Sequence, residues 1–338
     1  MRRAGFAIFI ISIVVVAGCG RSEAPIGRLR AEVRRHPDSV EARLSLGDAY
    51  MESGAHHDAY IQYAAAAELD PQTFEAIYGL ARAQEALSDT EGAMKSVNRA
   101  LALKQDAPDA VALKGVLLLQ SGEVAEAARE LEKARSLAPD NELVHEYLPA
   151  AYIKLDDLVK AEAAARDALK RMPDSTQAHL TLALVLVGRK KPDEAEAVLR
   201  QGLEAAPDDP LLPLRLAELL AMQGKKLDEA VELADRAVEL EPGDGTGDLI
   251  AALALRKLGR EEDAISRLRN AAMAHPRNPR LWMTLAAAHR AVGDEEAAAR
   301  AAAMAFRVAP RRRVRSAPAG GEEATGPEAE ATVAASAG

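Results

Sequence analysis

The sequence predicts an all-α solenoid of about eight helix-turn-helix repeats, and three observations carry that reading. Pro37, Pro71, Pro139, Pro173, Pro207, Pro242, Pro276 and Pro310 lie one or two periods of about 34 residues apart. A single extra residue is expected near Lys226, and Gln105 fills the one vacant rung. The turn glycine Gly54 returns as Gly122, Gly224, Gly259 and Gly293, each followed within a few residues by an acidic group and alanine. Small residues recur in step as well. One set is Ala59, Ala93, Ala127, Ala161, Ala195, Ala230, Ala264 and Ala298, and the other is Ala66, Ala100, Ala134, Ala168, Gly202, Ala237, Ala271 and Ala305.

The stretch from Val40 to Thr73 shows what one period builds. Leu46, Ala49 and Tyr50 fall on one side of a first helix, and Gly54 supplies a backbone free to turn where that pattern breaks. From Asp58, the residues Ala59, Tyr63 and Ala66 step by three and four along one face of a second helix. Gly47, Ala59 and Ala66 let the two backbones approach, and Tyr50 and Tyr63 fill the space beside them. The pair is an αα-hairpin. Pro71 disfavours helix at Asp70 and ends the second segment. Polar pairs after the prolines, such as Asp38-Ser39, Asp140-Asn141 and Asp174-Ser175, suit the N-cap of the next first helix. Carboxylates at the start of each second helix suit the positive end of its dipole.

These residues resemble the tetratricopeptide repeat family, whose signature places a large residue, Leu-Gly, Tyr, Ala, a large residue, Ala and Pro at set offsets. The first repeat keeps Leu46-Gly47, Tyr50, Ala59, Tyr63, Ala66 and Pro71, with Arg43 where the family favours Trp. The eighth has Trp282 at that place, and the fourth has Pro149 where Gly or Ala is usual, which is expected to kink or shorten its first helix. The resemblance covers residues 40–311 and implies a right-handed superhelix whose first helices line a concave surface. Carried over position by position, it assigns a partner-binding groove to Ala112, Val116 and Leu119 of the third repeat, with Glu146 among Ala150 and Ile153 of the fourth. The fifth contributes Leu180, Leu184 and Val187. Asp48, Arg82, Glu85, Glu218, Arg256 and Arg290 flank this apolar floor, which suits an amphipathic helix or an extended apolar peptide. Lys-and-Asn carboxylate clamps and asparagine ladders, two ligand modes of the family, find no support, because asparagine occurs only at Asn98, Asn141, Asn270 and Asn278.

In chain order, residues 1–18 read as a secretory signal: Arg2 and Arg3, then an apolar run from Phe6 to Ala17 too short to span a bilayer comfortably. Val16-Ala17-Gly18-Cys19 resembles the lipobox of bacterial lipoproteins, which implies that Cys19 is lipid-modified and anchors the chain. Gly20 after it, rather than Asp, points to the outer membrane and a periplasm-facing array. Cys19 is the only cysteine, so one copy can form neither a disulfide nor a CxxC pair. Residues 19–39 form the lipidated N-terminus and one basic helix with an apolar stripe at Ile26, Leu29 and Val33, a half-repeat capping the stack. After the array, residues 312–338 are rich in Ala, Gly and Glu and lack the apolar content to fold. Without a complete capping helix behind the eighth repeat, Met304, Phe306 or Val308 is expected to be partly exposed.

Composition narrows the function. The chain has a net charge of -9, or about -11 without Arg2 and Arg3, and 3% aromatic residues, a poor basis for binding nucleic acid. No GxxxxGK[ST], HExxH or GxSxG motif occurs, and uninterrupted helical pairs leave no strand–loop–helix nucleotide site. His145 and His179 share a register in successive repeats, where packing explains them better than metal binding, which needs further ligands at bonding distance. The expectation is a non-catalytic scaffold or assembly factor without cofactors, binding a protein or peptide partner in the cell envelope. Pilus or secretion assembly, polysaccharide export and cell-wall synthesis all fit. The alternative is a carrier or sensor holding a lipid or small amphiphile in the groove.

Overall fold

A computed structural model describes residues 20–309; Cys19, the signal-like stretch and the tail lie outside the described residues. The described chain is a run of seventeen helices. A lone helix, α1 (Gly20–Arg35), precedes eight hairpins: α2 (Val40–Glu52) with α3 (His56–Leu69), α4 (Phe74–Ala86) with α5 (Thr90–Leu103), α6 (Pro108–Gln120) with α7 (Val124–Leu137), and α8 (Glu142–Lys154) with α9 (Leu158–Arg171). They continue as α10 (Thr176–Gly188) with α11 (Pro192–Ala205), α12 (Leu211–Gln223) with α13 (Leu227–Leu240), α14 (Thr246–Lys257) with α15 (Glu261–Ala274), and α16 (Pro279–Ala291) with α17 (Glu295–Val308). Each helix touches its sequence neighbours, and from α2 to α14 successive first helices also touch one another, so the core is one elongated strip.

The expected caps are in place. Ser39, Asn141 and Ser175 accept hydrogen bonds from the amides of Ala42, Val144 and Ala178, and Asp89, Asp157 and Asp294 do the same for α5, α9 and α17. Within each hairpin turn one residue is left-handed: Gly54, Gly122, Gly259 and Gly293 in four repeats, but Ser88, Asp156 and Lys190 in three others. The sixth repeat uses two, Gly224 and Lys226. The turn around Lys226 is therefore unusual in both conformation and length. The extra residue lies in that turn: the Asp209 amide bonds to the Ala206 carbonyl and the Lys225 amide to that of Leu220, one regular period after Ser175 to Met172 and Lys191 to Leu186, whereas the next bond, Ala195 to Lys191, recurs one residue late as Ala230 to Lys226.

Close packing follows the small residues. A Cβ on Gly47 would stand 2.7 Å from Tyr63 Cε1, and one on Gly79 would stand 2.5 Å from the same ring, so Tyr63 is sandwiched between α2 and α4. Its hydroxyl donates to Asp48 Oδ1 at 2.5 Å. In three repeats the side chain at the position where the family favours tryptophan ties the first helix to the preceding proline. Trp282 Nε1 donates to the Pro276 carbonyl (3.0 Å), Arg43 Nε to that of Pro37 (3.0 Å), and His145 Nε2 to that of Pro139 (2.8 Å). In the sixth repeat Pro213 holds the position and has no donor; Arg236 of α13 reaches the Pro207 carbonyl instead, at 2.8 Å. Pro149 does not shorten its helix: α8 runs thirteen residues through it, as long as α6 and α10. A proline there lacks one amide donor; burial of Val144, Leu148, Ala151 and Tyr152 around it holds the helix together.

Candidate functional site

An apolar opening with flanking polar groups lies between α10 and α12. Leu180, Leu184 and Val187 of α10 form one wall, Leu211 and Met222 of α12 the other, and Leu199 and Leu219 the floor. The groove encloses about 620 Å³. Leu184 is 61% exposed, Met222 62%, Leu211 42% and Val187 38%, whereas Leu219 is 6% exposed. Gln177, Thr181 and Arg215 supply polar groups along it, and Arg215 pairs with Glu218 at 2.8 Å.

Of the eight residues assigned to the groove from sequence, the structure brings three to this opening. Leu180, Leu184 and Val187 line the opening. Ala112, Val116 and Leu119 do not: they are 0%, 1% and 7% exposed and belong to the core. Tyr147, Ala150 and Ile153 of α8 pack against that cluster and are themselves half-buried, so the apolar floor closes in the third and fourth repeats. Burial pushes the Tyr147 hydroxyl up, with Glu146 and Glu85 adding to it. The flanking charges are engaged within the chain. Asp48 accepts from Tyr63, Glu85 accepts from Gln120 at 2.9 Å, Arg256 pairs with Glu261 at 3.1 Å, and Arg82 lies 5.9 Å from the Tyr78 ring centre. Leu211 and Met222 were missed because they stand one period after Gln177 and Gly188, positions outside the assigned groove.

Behind the groove, on the second helices, runs an ion ladder that periodicity could have revealed. Glu162 of α9 is buried and meets Arg166 (2.8 Å), Lys191 (3.1 Å) and Arg189; Arg166 also pairs with Glu194 (2.5 Å). One repeat on, Glu196 meets Arg200 (2.9 Å) and Lys226 (2.5 Å), and Arg200 meets Glu229 (2.6 Å). Burial works to raise the Glu162 carboxyl, but hydrogen bonds from Arg166, Lys191 and Arg189 outweigh it and bring it down to about 2. Because Arg189 and Lys191 sit in the turn after α10, the ladder fixes that helix from behind while its front stays open.

His145 and His179 are 5% and 3% exposed, and His179 Nδ1 lies 3.0 Å from the Ser175 carbonyl. They serve as packing and tethering residues. Among the described residues no group of three or more His, Cys, Asp or Glu is placed to hold a metal, and no helix is long and apolar enough to cross a membrane.

Two tetratricopeptide repeat models match the sequence, one over residues 20–74 and 78–142, the other over 152–212 and 186–254. The chain belongs to the tetratricopeptide repeat family. Among curated proteins this repeat array is similar to DnaJ homolog subfamily C member 3 of Rattus norvegicus, 31% identical over 129 residues, which are 38% of this chain and 25% of that protein. The chain therefore spans about a quarter of the length of the curated relatives it matches. Its structure is similar to the APC/C hetero-tetramer Cut9–Hcn1, with a TM-score of 0.59 at 19% identity over 70% of this chain and 46% of that one. It is also similar to Pseudomonas aeruginosa PilF, with a TM-score of 0.55 at 20% identity over 63% of this chain and 96% of that one. At these identities the structural likeness speaks to the fold alone.

Proposed function

We propose that this tetratricopeptide repeat protein is a lipid-anchored, periplasm-facing scaffold or assembly factor of a bacterial envelope complex. Its reading surface is the groove between α10 and α12. Repeat arrays of this kind bind protein or peptide partners rather than carry out catalysis. The observation that carries the proposal is the pair Leu184 and Met222, each more than 60% exposed and facing a common groove. Side chains that large gain from being covered, at about 25 cal/mol per Å² of apolar surface removed from water. An amphipathic helix or extended apolar segment fits such a groove, with Arg215 and Glu218 at its rim setting orientation. Cys19 supplies the anchor, and Gly20 after it favours the outer membrane.

A second reading rests on the same lining: apolar walls around a volume of this size also suit an acyl chain, which would make the protein a lipid carrier or sensor. One experiment separates the two. Crosslinked affinity capture from native membranes is run with the intact protein and Leu184→Glu side by side, followed by mass spectrometry of both proteins and lipids. Loss of one defined envelope protein in the variant supports the scaffold, and loss of lipid alone supports the carrier. Identical capture by both rejects the groove. The anchor is tested separately: Cys19→Ser abolishes acyl labelling and releases the protein from membranes, and continued acylation would overturn that part of the reading.

A further inference from the structure

The two ends of the array are not equivalent, and the C-terminal end has the makings of a second contact surface. At each interior junction, one position near the end of the second helix is covered by the next repeat. Ala67 and Ala272 are buried there, and Leu101, Leu169, Leu203 and Val238 are half-buried. In α17 that position is Phe306, and it is 91% exposed. Met283 of α16 is also open, at 63%, although its counterparts Ala112 and Leu249 are buried and half-buried. Among the described residues nothing follows α17 to cover either side chain.

Charge says what kind of helix is missing. Residues 40–245 carry a net charge of -16, whereas residues 246–315 carry +7. Arg280 and Arg307 are exposed and have no carboxylate partner among the described residues. Arg311, Arg312, Arg313 and Arg315 follow directly in sequence. A second copy is a poor occupant, since stacking end on end brings this basic end against another basic end or against the arginines of α1 (net +2 over residues 20–39). The chain's own segment 316–338 has four glutamates but a single large apolar residue, Val333, and so has no stripe to cover Phe306.

We propose that the α16–α17 end docks an acidic amphipathic helix of another protein, which stacks in the place of a ninth first helix. Its apolar stripe covers Phe306 and Met283, and its carboxylates meet Arg280 and Arg307. This surface is separate from the concave groove, so either can fail without the other.

The test uses the full chain and a fluorescent synthetic helix of 13 residues, the length of α16, with a leucine stripe flanked by glutamates. A lysine-flanked version serves as control. The proposal predicts saturable binding weakened about tenfold or more by Phe306→Asp, by Arg307→Glu and by exchanging glutamates for lysines, with Leu184→Glu and the thermal midpoint unchanged. Deleting 316–338 leaves the affinity within about threefold. Equal binding by Phe306→Asp and wild type, or loss through Leu184→Glu instead, would overturn it. So would a rise of more than about tenfold on deleting the tail, which would make the tail the occupant. Phe306-dependent binding to phosphatidylglycerol vesicles without binding to the acidic peptide would overturn it in favour of a membrane surface.

Discussion

The first helices of the third and fifth repeats, α6 and α10, have similar apolar sequences and opposite fates. Ala112, Val116 and Leu119 of α6 are almost wholly buried, while Leu184 and Val187 at the matching positions of α10 are 61% and 38% exposed. The difference lies in what stands beside them. Next to α6, α8 presents Tyr147, Ala150 and Ile153, large enough together to close the concave side. Beyond α10, α12 presents Arg215, Glu218 and Ala221 at the positions that Tyr147, Ala150 and Ile153 hold in α8, and these leave the concave side open between Leu184 and Met222. Openness is thus a property of neighbouring helices, not of the helix that carries the apolar residues.

The largest effect should come from challenging the closed side. Val116→Glu buries a carboxylate without a partner and is expected to cost about 4 kcal/mol, seen as an early unfolding transition in chemical denaturation. Next is the ladder that steadies α10: Glu162→Gln leaves Arg166, Arg189 and Lys191 around a neutral side chain and should cost about 2 kcal/mol. Since Glu162 is held below the ordinary carboxylate value of 4.5, its contribution is present above that pH. It is lost as pH falls from about 4.5 towards about 2, and the variant's stability curve should flatten over that window. Gly79→Ala, which drives a methyl into the buried Tyr63 ring on the closed side, should cost about 1–3 kcal/mol in thermal unfolding. At the turn after α10, Lys190 occupies a left-handed conformation at φ +60, so Lys190→Gly should stabilise by about 0.5–1 kcal/mol. An unchanged midpoint there would contradict the strain assigned to that turn.

Much of this was legible in the sequence because repetition multiplies weak signals. The prolines, the turn glycines and the two alanine series fixed where helices begin and end, and Tyr63 between Gly47 and Gly79 follows from the small residues around it. The same proline spacing placed the one extra residue near Lys226, where the backbone hydrogen bonds also put it. Exposure was harder to read, since burial of Val116 depends on Tyr147 and Ile153 from another repeat. The ladder was readable in principle: Glu162 and Arg166 recur as Glu196 and Arg200 at the repeat period. Its meaning as a buried carboxylate came only with the packing of α9 against the turn after α10.

The most direct test sets Val116→Glu beside Leu184→Glu, the same charge at matching positions of α6 and α10, with unfolding and partner capture measured for both. The account predicts that Val116→Glu lowers stability by about 4 kcal/mol while Leu184→Glu stays within about 0.5 kcal/mol of the parent and loses its captured partner. Equal destabilisation by the two would show that Leu184 is core and that the groove between α10 and α12 is closed.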